Sequence, residues 1–184
     1  MIAALRAKAG ELRRGGRINR APSPWLARSV PWLLVMAASV IPSWFIISSA
    51  PVMPPFGFLV LIAWRQLRPG LLPTWAGLPL GLFDDLYSGQ PFGSGILLWS
   101  LAIIFLDIVE ARFPWRNFAL EWLVGGAVIA AYILACLAFA NAAGGATPLL
   151  VVVPQMVVSM LFYPLVERMV AMFDRLRLMP LRKS

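Results

Sequence analysis

Apolar residues fall into six runs along the chain, separated by short polar or proline-rich segments. The second and third runs are short, and prolines mark their ends. A helix that crosses a hydrocarbon core of about 30 Å needs roughly 17–25 predominantly apolar residues. The pattern predicts an all-α membrane protein, a compact bundle of about six transmembrane helices. A five-span alternative, in which the second run is merged or lost, stays open. The runs cover residues 31–49, 54–67, 71–87, 92–110, 119–140 and 149–172.

Composition agrees with a lipid-embedded chain and limits its chemistry. The protein has 184 residues, of which 60% are hydrophobic and 13% are charged; soluble domains are typically about 45–50% apolar. The chain contains no histidine and a single cysteine, Cys136. These counts exclude a disulfide framework and a cysteine metal cluster, and they remove the usual zinc and iron ligands. We therefore expect neither a cofactor nor a metal site.

Basic residues indicate the orientation. With six spans, all 16 Lys and Arg residues fall on one side of the membrane, in the terminal segments, in the turns after spans two and four, or at the adjoining span ends. The positive-inside rule then places both termini in the cytoplasm of a multi-pass protein. The net charge of +8 is thus a topology signal, and we expect no nucleic-acid partner. This divides the chain into a basic cytoplasmic tail (1–30), a transmembrane domain (31–173) and a second basic cytoplasmic tail (174–184).

Aromatic residues near the predicted cytoplasmic ends suggest an interfacial belt. The residues concerned are Trp25, Trp32, Trp64, Trp75, Phe113, Trp115, Phe118 and Trp122.

The third run carries a polar face. At 100° per residue, five of its small or polar residues fall within an arc of about 100°. Gly77 and Gly81 form a GxxxG step, which lets a neighbouring backbone approach closely. Pro79 lies within the same run and predicts a kink. The residues of this face are Gly77, Gly81, Asp84, Asp85 and Ser88.

Three other runs carry comparable stripes. In the fourth run a small or polar residue recurs every seven positions, at Gly93, Ser100 and Asp107. The sixth run has a polar stripe at Gln155, Ser159, Tyr163 and Glu167. The fifth run offers a small-residue surface suited to tight packing, formed by Gly125, Gly126, Ala130, Ala131, Ala135 and Ala138. We expect these stripes to face the bundle interior or a partner.

The adjacent acids Asp84 and Asp85 have no basic residue on their predicted side of the membrane. Their partners are then backbone N–H groups, water, a cation or another chain; alternatively, one carboxyl is protonated because adjacent acids repel each other. Asp107 lies near the basic turn. It either pairs with Arg112 or belongs to the polar seam that faces the bundle interior. The stretch "PLGLFDD" does not fit the GxGD motif of intramembrane aspartyl proteases, and a Ser/His pair is impossible without histidine. We therefore expect no enzymatic activity.

The stretch "AWRQLRPGLLPTWAGLPLGLFDDLYSGQPFGSGILLWSLA" resembles the rod-shape-determining protein family MreD. The family core, G-x-x-x-D-x-x-S-G-x-x-x-G, is matched in order. Trp64, Pro69 and Gly77 match family positions before the core, and "YPLVERMV" resembles the family's last helix through Pro164. Asp84 is an additional acid beside the family aspartate. The matched core residues are Gly81, Asp85, Ser88, Gly89 and Gly93.

The resemblance implies a non-enzymatic subunit of the bacterial inner membrane. Such a subunit binds MreC, acts with RodA and its partner penicillin-binding transpeptidase, and reaches the MreB filament indirectly in side-wall peptidoglycan synthesis. It also implies a fold like the substrate-binding subunits of energy-coupling-factor transporters. Besides membrane lipid, these are the partners we expect. The alternative is a transporter subunit that binds a small molecule or ion in a cavity lined by Asp84, Asp85, Ser88, Tyr163 and Gln155.

Overall fold

The described part of the chain is helical throughout, apart from its turns. The computed structural model of the protein describes residues 24–44, 53–113 and 117–177. The predicted all-α class is confirmed, since these residues contain no strand. The helices are α1 (Pro24–Trp44), α2 (Phe56–Leu67), a 3-10 helix (Thr74–Ala76), α3 (Gly77–Asp85), α4 (Ser94–Arg112), α5 (Phe118–Ala142) and α6 (Leu149–Arg177).

Three helices are long and apolar enough to cross a membrane. They are Ser94–Arg112, Ala119–Ala142 and Leu149–Arg177. The segments Arg28–Ser43 and Phe56–Leu67 form shorter apolar helices. Membrane character is thus confirmed for the last three apolar runs, while the six-span count and the orientation stay predictions.

The third run differs from its predicted span of residues 71–87. It contains the 3-10 helix and then α3, which has 9 residues and is about 14 Å long at 1.5 Å per residue. Pro73 precedes the 3-10 helix and Gly70 has a φ of +78°, so regular helix cannot begin sooner. The kink predicted at Pro79 assumed a position inside a longer helix. Pro79 is the third residue of α3, and in a first turn the missing N–H costs no intrahelical hydrogen bond.

Two helices extend past the predicted transmembrane domain, 31–173. The first helix begins at Pro24, and proline is favoured at a first helical position because its φ is already helical. The last helix continues to Arg177. The rest of the predicted tails, residues 1–23 and 178–184, lies outside the described residues.

Helix α2 is the centre of the bundle. Every residue from Gly57 to Gln66 is buried, because α2 contacts α1, α4, α5 and α6. A helix that is apolar all round needs neighbours on every side. The Phe58 ring stacks on Tyr132 of α5 with centroids 3.9 Å apart and lies 5.9 Å from Trp99 of α4.

The predicted aromatic belt stays a prediction, and its residues differ in exposure. Trp75, Phe113 and Trp122 are exposed at 60%, 55% and 40%, as interfacial residues should be. Trp64 is instead fully buried, and the Arg177 guanidinium lies 5.3 Å from its ring centroid. The side chains of Trp25, Trp115 and Phe118 lie outside the described residues.

Candidate functional site

Helices α3 and α4 pack backbone against backbone at the predicted GxxxG step. A Cβ built on Gly77 would lie 2.7 Å from the Ser100 Cα, and one on Gly81 would lie 2.6 Å from the Gly95 carbonyl oxygen. Such contacts are closer than real Cβ atoms tolerate, so both positions need glycine. The prediction that this step admits a close neighbouring backbone is confirmed, and the neighbour is α4.

Asp85, the last residue of α3, caps the start of α4. Its carboxylate accepts hydrogen bonds from the backbone N–H groups of Gly93 at 2.9 Å, Gly95 at 2.8 Å and Ile96 at 3.4 Å. The first N–H groups of a helix have no intrahelical acceptor, and an anion there also interacts favourably with the helix dipole. Among the partners considered for this acid, backbone N–H groups are therefore the ones found.

The turn between Asp85 and α4 uses glycine where the backbone requires it. Gly89 and Gly93 have φ values of +67° and +94°, a region that side chains with a Cβ rarely enter. Ser88 lies beyond the end of α3 and is exposed, so it does not share the buried face predicted for it.

We call the buried contact made by Gly77, Gly81, Asp85, Gly93 and Gly95 the α3–α4 joint. The chain was compared with protein-family models, curated proteins and solved structures. Nothing matched.

The composition of the α3–α4 joint shows what it can do: glycines bring two backbones together, and a carboxylate bonds to one of them. This arrangement holds the two helices in a fixed relation.

Asp84 lies in different surroundings from its neighbour. Its side chain is 9% exposed and faces the Ser39 hydroxyl of α1, with Tyr132 and Cys136 of α5 nearby. The two adjacent acids therefore have different contacts: Asp85 caps α4, whereas Asp84 faces α1 and α5.

Three buried polar groups accompany Asp84 in the interior. Within the described ranges, the Ser39 Oγ, the Trp99 Nε1 and the Tyr132 Oη have no partner with hydrogen-bond geometry. Their side chains are 5%, 0% and 5% exposed. A buried polar group without a partner is costly and needs an explanation, such as a bound water molecule or ion. We call Ser39, Asp84, Trp99 and Tyr132 the interior polar cluster.

Asp107 pairs across helices and not with Arg112. It forms an ion pair with Arg65 of α2, whose guanidinium also donates to the Leu72 carbonyl oxygen at 3.2 Å. Arg65 is 6% exposed and Asp107 is 27% exposed. The seven-residue seam of α4 is thereby borne out, because Gly93, Ser100 and Asp107 all contact the α2–α3 side.

The polar stripe of α6 also faces inward. Gln155 donates to the Met53 carbonyl oxygen at 2.8 Å, and the Ser159 hydroxyl donates to the Gln155 carbonyl oxygen at 2.6 Å. The Tyr163 hydroxyl donates to the Gln66 Oε1 at 2.8 Å. None of these described bonds joins Gln155 or Tyr163 to the acid pair. The ligand cavity predicted from Asp84, Asp85, Ser88, Tyr163 and Gln155 stays a prediction.

Pro164 lies inside α6 and lines a small cleft of about 190 Å³ between α2, α5 and α6. Gln66, Glu121, Glu167 and Arg168 line the same cleft. Proline has no backbone N–H and cannot donate to the preceding turn. Pro164 thus borders polar side chains from three helices.

A second polar contact that the sequence did not indicate lies at the end of α6. Asp174 is buried and accepts hydrogen bonds from Arg68 at 3.0 Å and Arg177 at 2.7 Å. The sequence analysis placed it in the C-terminal tail, 174–184, outside the transmembrane domain. The only signal for burial was its helical spacing from Val170 and Arg177, which continues the inward face of α6.

Gly95 is the other residue of the joint that the sequence reasoning missed. It lies in "GSG", two positions after the motif glycine Gly93, and its backbone N–H and carbonyl group both contact α3. A small residue at the start of α4 was the available signal. Which of the two glycines would meet Gly81 depends on where the α4 backbone begins.

Proposed function

We propose that the chain is a non-enzymatic scaffold subunit of the bacterial inner membrane, similar to MreD. In this role it binds MreC and organises RodA and its partner transpeptidase for side-wall peptidoglycan synthesis, with MreB reached indirectly. The observation that supports it best is the α3–α4 joint. Gly81, Asp85 and Gly93, residues of the MreD-like motif, all serve this joint between two helices.

The chemistry of the joint favours a structural role over catalysis. Asp85 accepts three backbone N–H bonds, and a carboxylate held in this way is fixed in position. A general acid or base must instead reach a substrate proton. The joint gives the protein a rigid pair of helices, which is what a subunit needs to present its membrane faces reproducibly to partners.

The cytoplasmic placement of both termini belongs to the same proposal. Arg65, near the end of α2, pairs with Asp107 near the end of α4, and Arg68 and Arg177 both pair with Asp174 near the end of α6. These basic side chains therefore gather at one end of the bundle, as the positive-inside rule expects for the cytoplasmic end. A fold like the substrate-binding subunits of energy-coupling-factor transporters is also part of the proposal.

The test is native co-purification of the tagged chain from its own membranes, followed by mass spectrometry. We expect an MreC-like protein and a RodA-like synthase in the wild-type sample and less of both with Asp85→Ala. Asp84→Ala is the matched control, because it removes the adjacent acid and leaves the α4 cap intact. Recovery of neither partner by the wild-type chain would refute the proposal, and rod-shape complementation provides the cellular counterpart.

The second candidate is a small-molecule or ion-binding transporter subunit. The specific observation in its favour is the interior polar cluster, where a buried acid lies with three other buried polar groups. Ligand-dependent thermal stabilisation should then appear with a panel of ions and vitamins and disappear with Asp84→Asn. A flat response of the wild-type chain across the panel would rule this candidate out.

A further inference from the structure

An apolar groove runs along the membrane-facing side of α4 and α5. Its volume is about 460 Å³, and both helices contribute walls from the middle of their length. The floor is made by rings of the aromatic stack on α2 and α5. The principal lining residues are Leu101 and Phe105 on α4, Ala127 and Ala131 on α5, and Phe58 and Tyr132 at the floor.

The groove exists because one of its walls is made of small side chains. Ala127, Ala131 and Ala135 follow each other at four-residue steps on α5, so three successive turns offer only a methyl group. Across from them, Leu101 and Phe105 are 52% and 49% exposed. Space between the helices is thus left for an occupant.

A positive charge lies at one end of the same stripe. Leu101, Phe105, Ile108 and Arg112 follow one another at three- and four-residue steps, which places them on one face of α4. Seven residues separate Phe105 from Arg112, or about 10 Å along the helix axis. Arg112 is exposed, and across the described residues no ion pair or hydrogen bond engages its side chain.

We propose that this groove binds one acyl chain of an anionic phospholipid whose phosphate group contacts Arg112. The chain fills the space beside Ala127 and Ala131, and the headgroup lies at the end of α4 next to the first turn of α5. The site does not depend on the scaffold role, since a lipid can bind whatever the protein assembles with.

The chemistry of the groove favours a lipid over a transmembrane helix. Lipid tails are as apolar as leucine, so helices associate in membranes through close packing and interhelical hydrogen bonds. A helix with side chains is about 10–12 Å in diameter, and Leu101 and Phe105 project on the rim where it would have to approach. An acyl chain is thin enough to lie between the walls, and Arg112 complements its phosphate.

The experiment is native mass spectrometry of the full chain in detergent, with phosphatidylglycerol and phosphatidylcholine of identical acyl chains added separately. We expect about fivefold stronger binding of the anionic lipid, the effect of one arginine near a headgroup. Arg112→Gln should abolish this preference. Arg175→Gln, which removes an exposed charge on α6, is the matched control and should retain it.

A second variant tests the groove itself. Ala131→Trp fills the space and should weaken binding of both lipids, whereas Val157→Trp on the exposed side of α6 should leave binding unchanged. Equal binding of the two lipids by the wild-type chain, or no effect of Ala131→Trp, would overturn the proposal. Loss of a co-purified protein partner in Ala131→Trp with lipid binding retained would also overturn it and would assign the groove to a partner helix.

Discussion

Replacement of Asp85 by alanine removes the acceptor that caps α4. Three backbone N–H groups lose their partner, and two of the bonds, from Gly93 and Gly95, are short at 2.9 and 2.8 Å. The Gly95 bond is buried, so water cannot readily replace the carboxylate. Asp85→Asn retains one oxygen acceptor but directs an NH₂ group at donors, and it therefore keeps only part of the cap.

The size of the effect follows from these bonds. Loss of an ordinary N-cap costs up to about 2 kcal/mol, and a hydrogen bond to a charged group contributes about 1.5–3 kcal/mol. With two short bonds, we expect Asp85→Ala to lower the free energy of unfolding by about 3 kcal/mol and Asp85→Asn by about half as much. At about 2–4 °C per kcal/mol, the alanine variant should melt about 6–12 °C lower.

The assay is thermal unfolding followed by tryptophan fluorescence in nanodiscs of constant lipid composition. Hydrogen exchange of the Gly95 and Ile96 amides supplies a local readout, and it should accelerate in Asp85→Ala. Asp84→Ala is again the control, because Asp84 accepts no N–H bond from α4. In this variant the Gly95 and Ile96 amides should exchange at the wild-type rate. Unchanged exchange and melting in Asp85→Ala would refute the capping role. Complete loss of assembly in both Asp85 variants at wild-type stability would indicate a charge or proton function instead.

Three further predictions use the same thermal assay. Gly81→Ala should destabilise the protein by about 1–3 kcal/mol because its Cβ meets backbone atoms of α4. The control Gly126→Ala should stabilise the protein by up to about 1 kcal/mol, because its Cβ is 3.9 Å from its nearest neighbour. Equal shifts in the two variants would contradict the close α3–α4 contact. Arg65→Met should be more harmful than Arg65→Met combined with Asp107→Leu, since the single variant leaves a charge unpaired; a double variant that melts no higher than the single one would count against the pair. Tyr163→Phe should lower the free energy of unfolding by about 0.5–1.5 kcal/mol, because it loses the hydrogen bond to Gln66 of α2. A wild-type melting temperature would show that this bond contributes nothing.

Helical class and membrane character could be predicted from local pattern alone. The last three apolar runs became helices of spanning length, with bounds within a few residues of those predicted except at Arg177. This succeeds because a lipid-exposed segment must satisfy its backbone internally, so length and hydropathy suffice. The GxxxG step was equally readable, since only glycine lets backbones come this close.

The division of labour between Asp84 and Asp85 was decided by tertiary structure. Adjacent residues on a helix point about 100° apart, so one acid faces α4 and the other faces α1 and α5. No local pattern states which neighbour lies on which side. The same reason explains why Trp64 was expected at an interface and is buried, since its exposure depends on how α6 crosses α2.

Sequence by itself determined that this chain is a helical membrane protein and that its third apolar run carries a GxxxG step at which a neighbouring backbone can approach closely. Pairings over long separations were decided only by the fold. Arg65 meets Asp107, Gln66 meets Tyr163 and Arg68 meets Asp174 because α4 and α6 pack against the central helix or its C-terminal end. A charged or amide side chain in an apolar segment indicates that a partner is needed, but only the packing of helices brings one within hydrogen-bond distance.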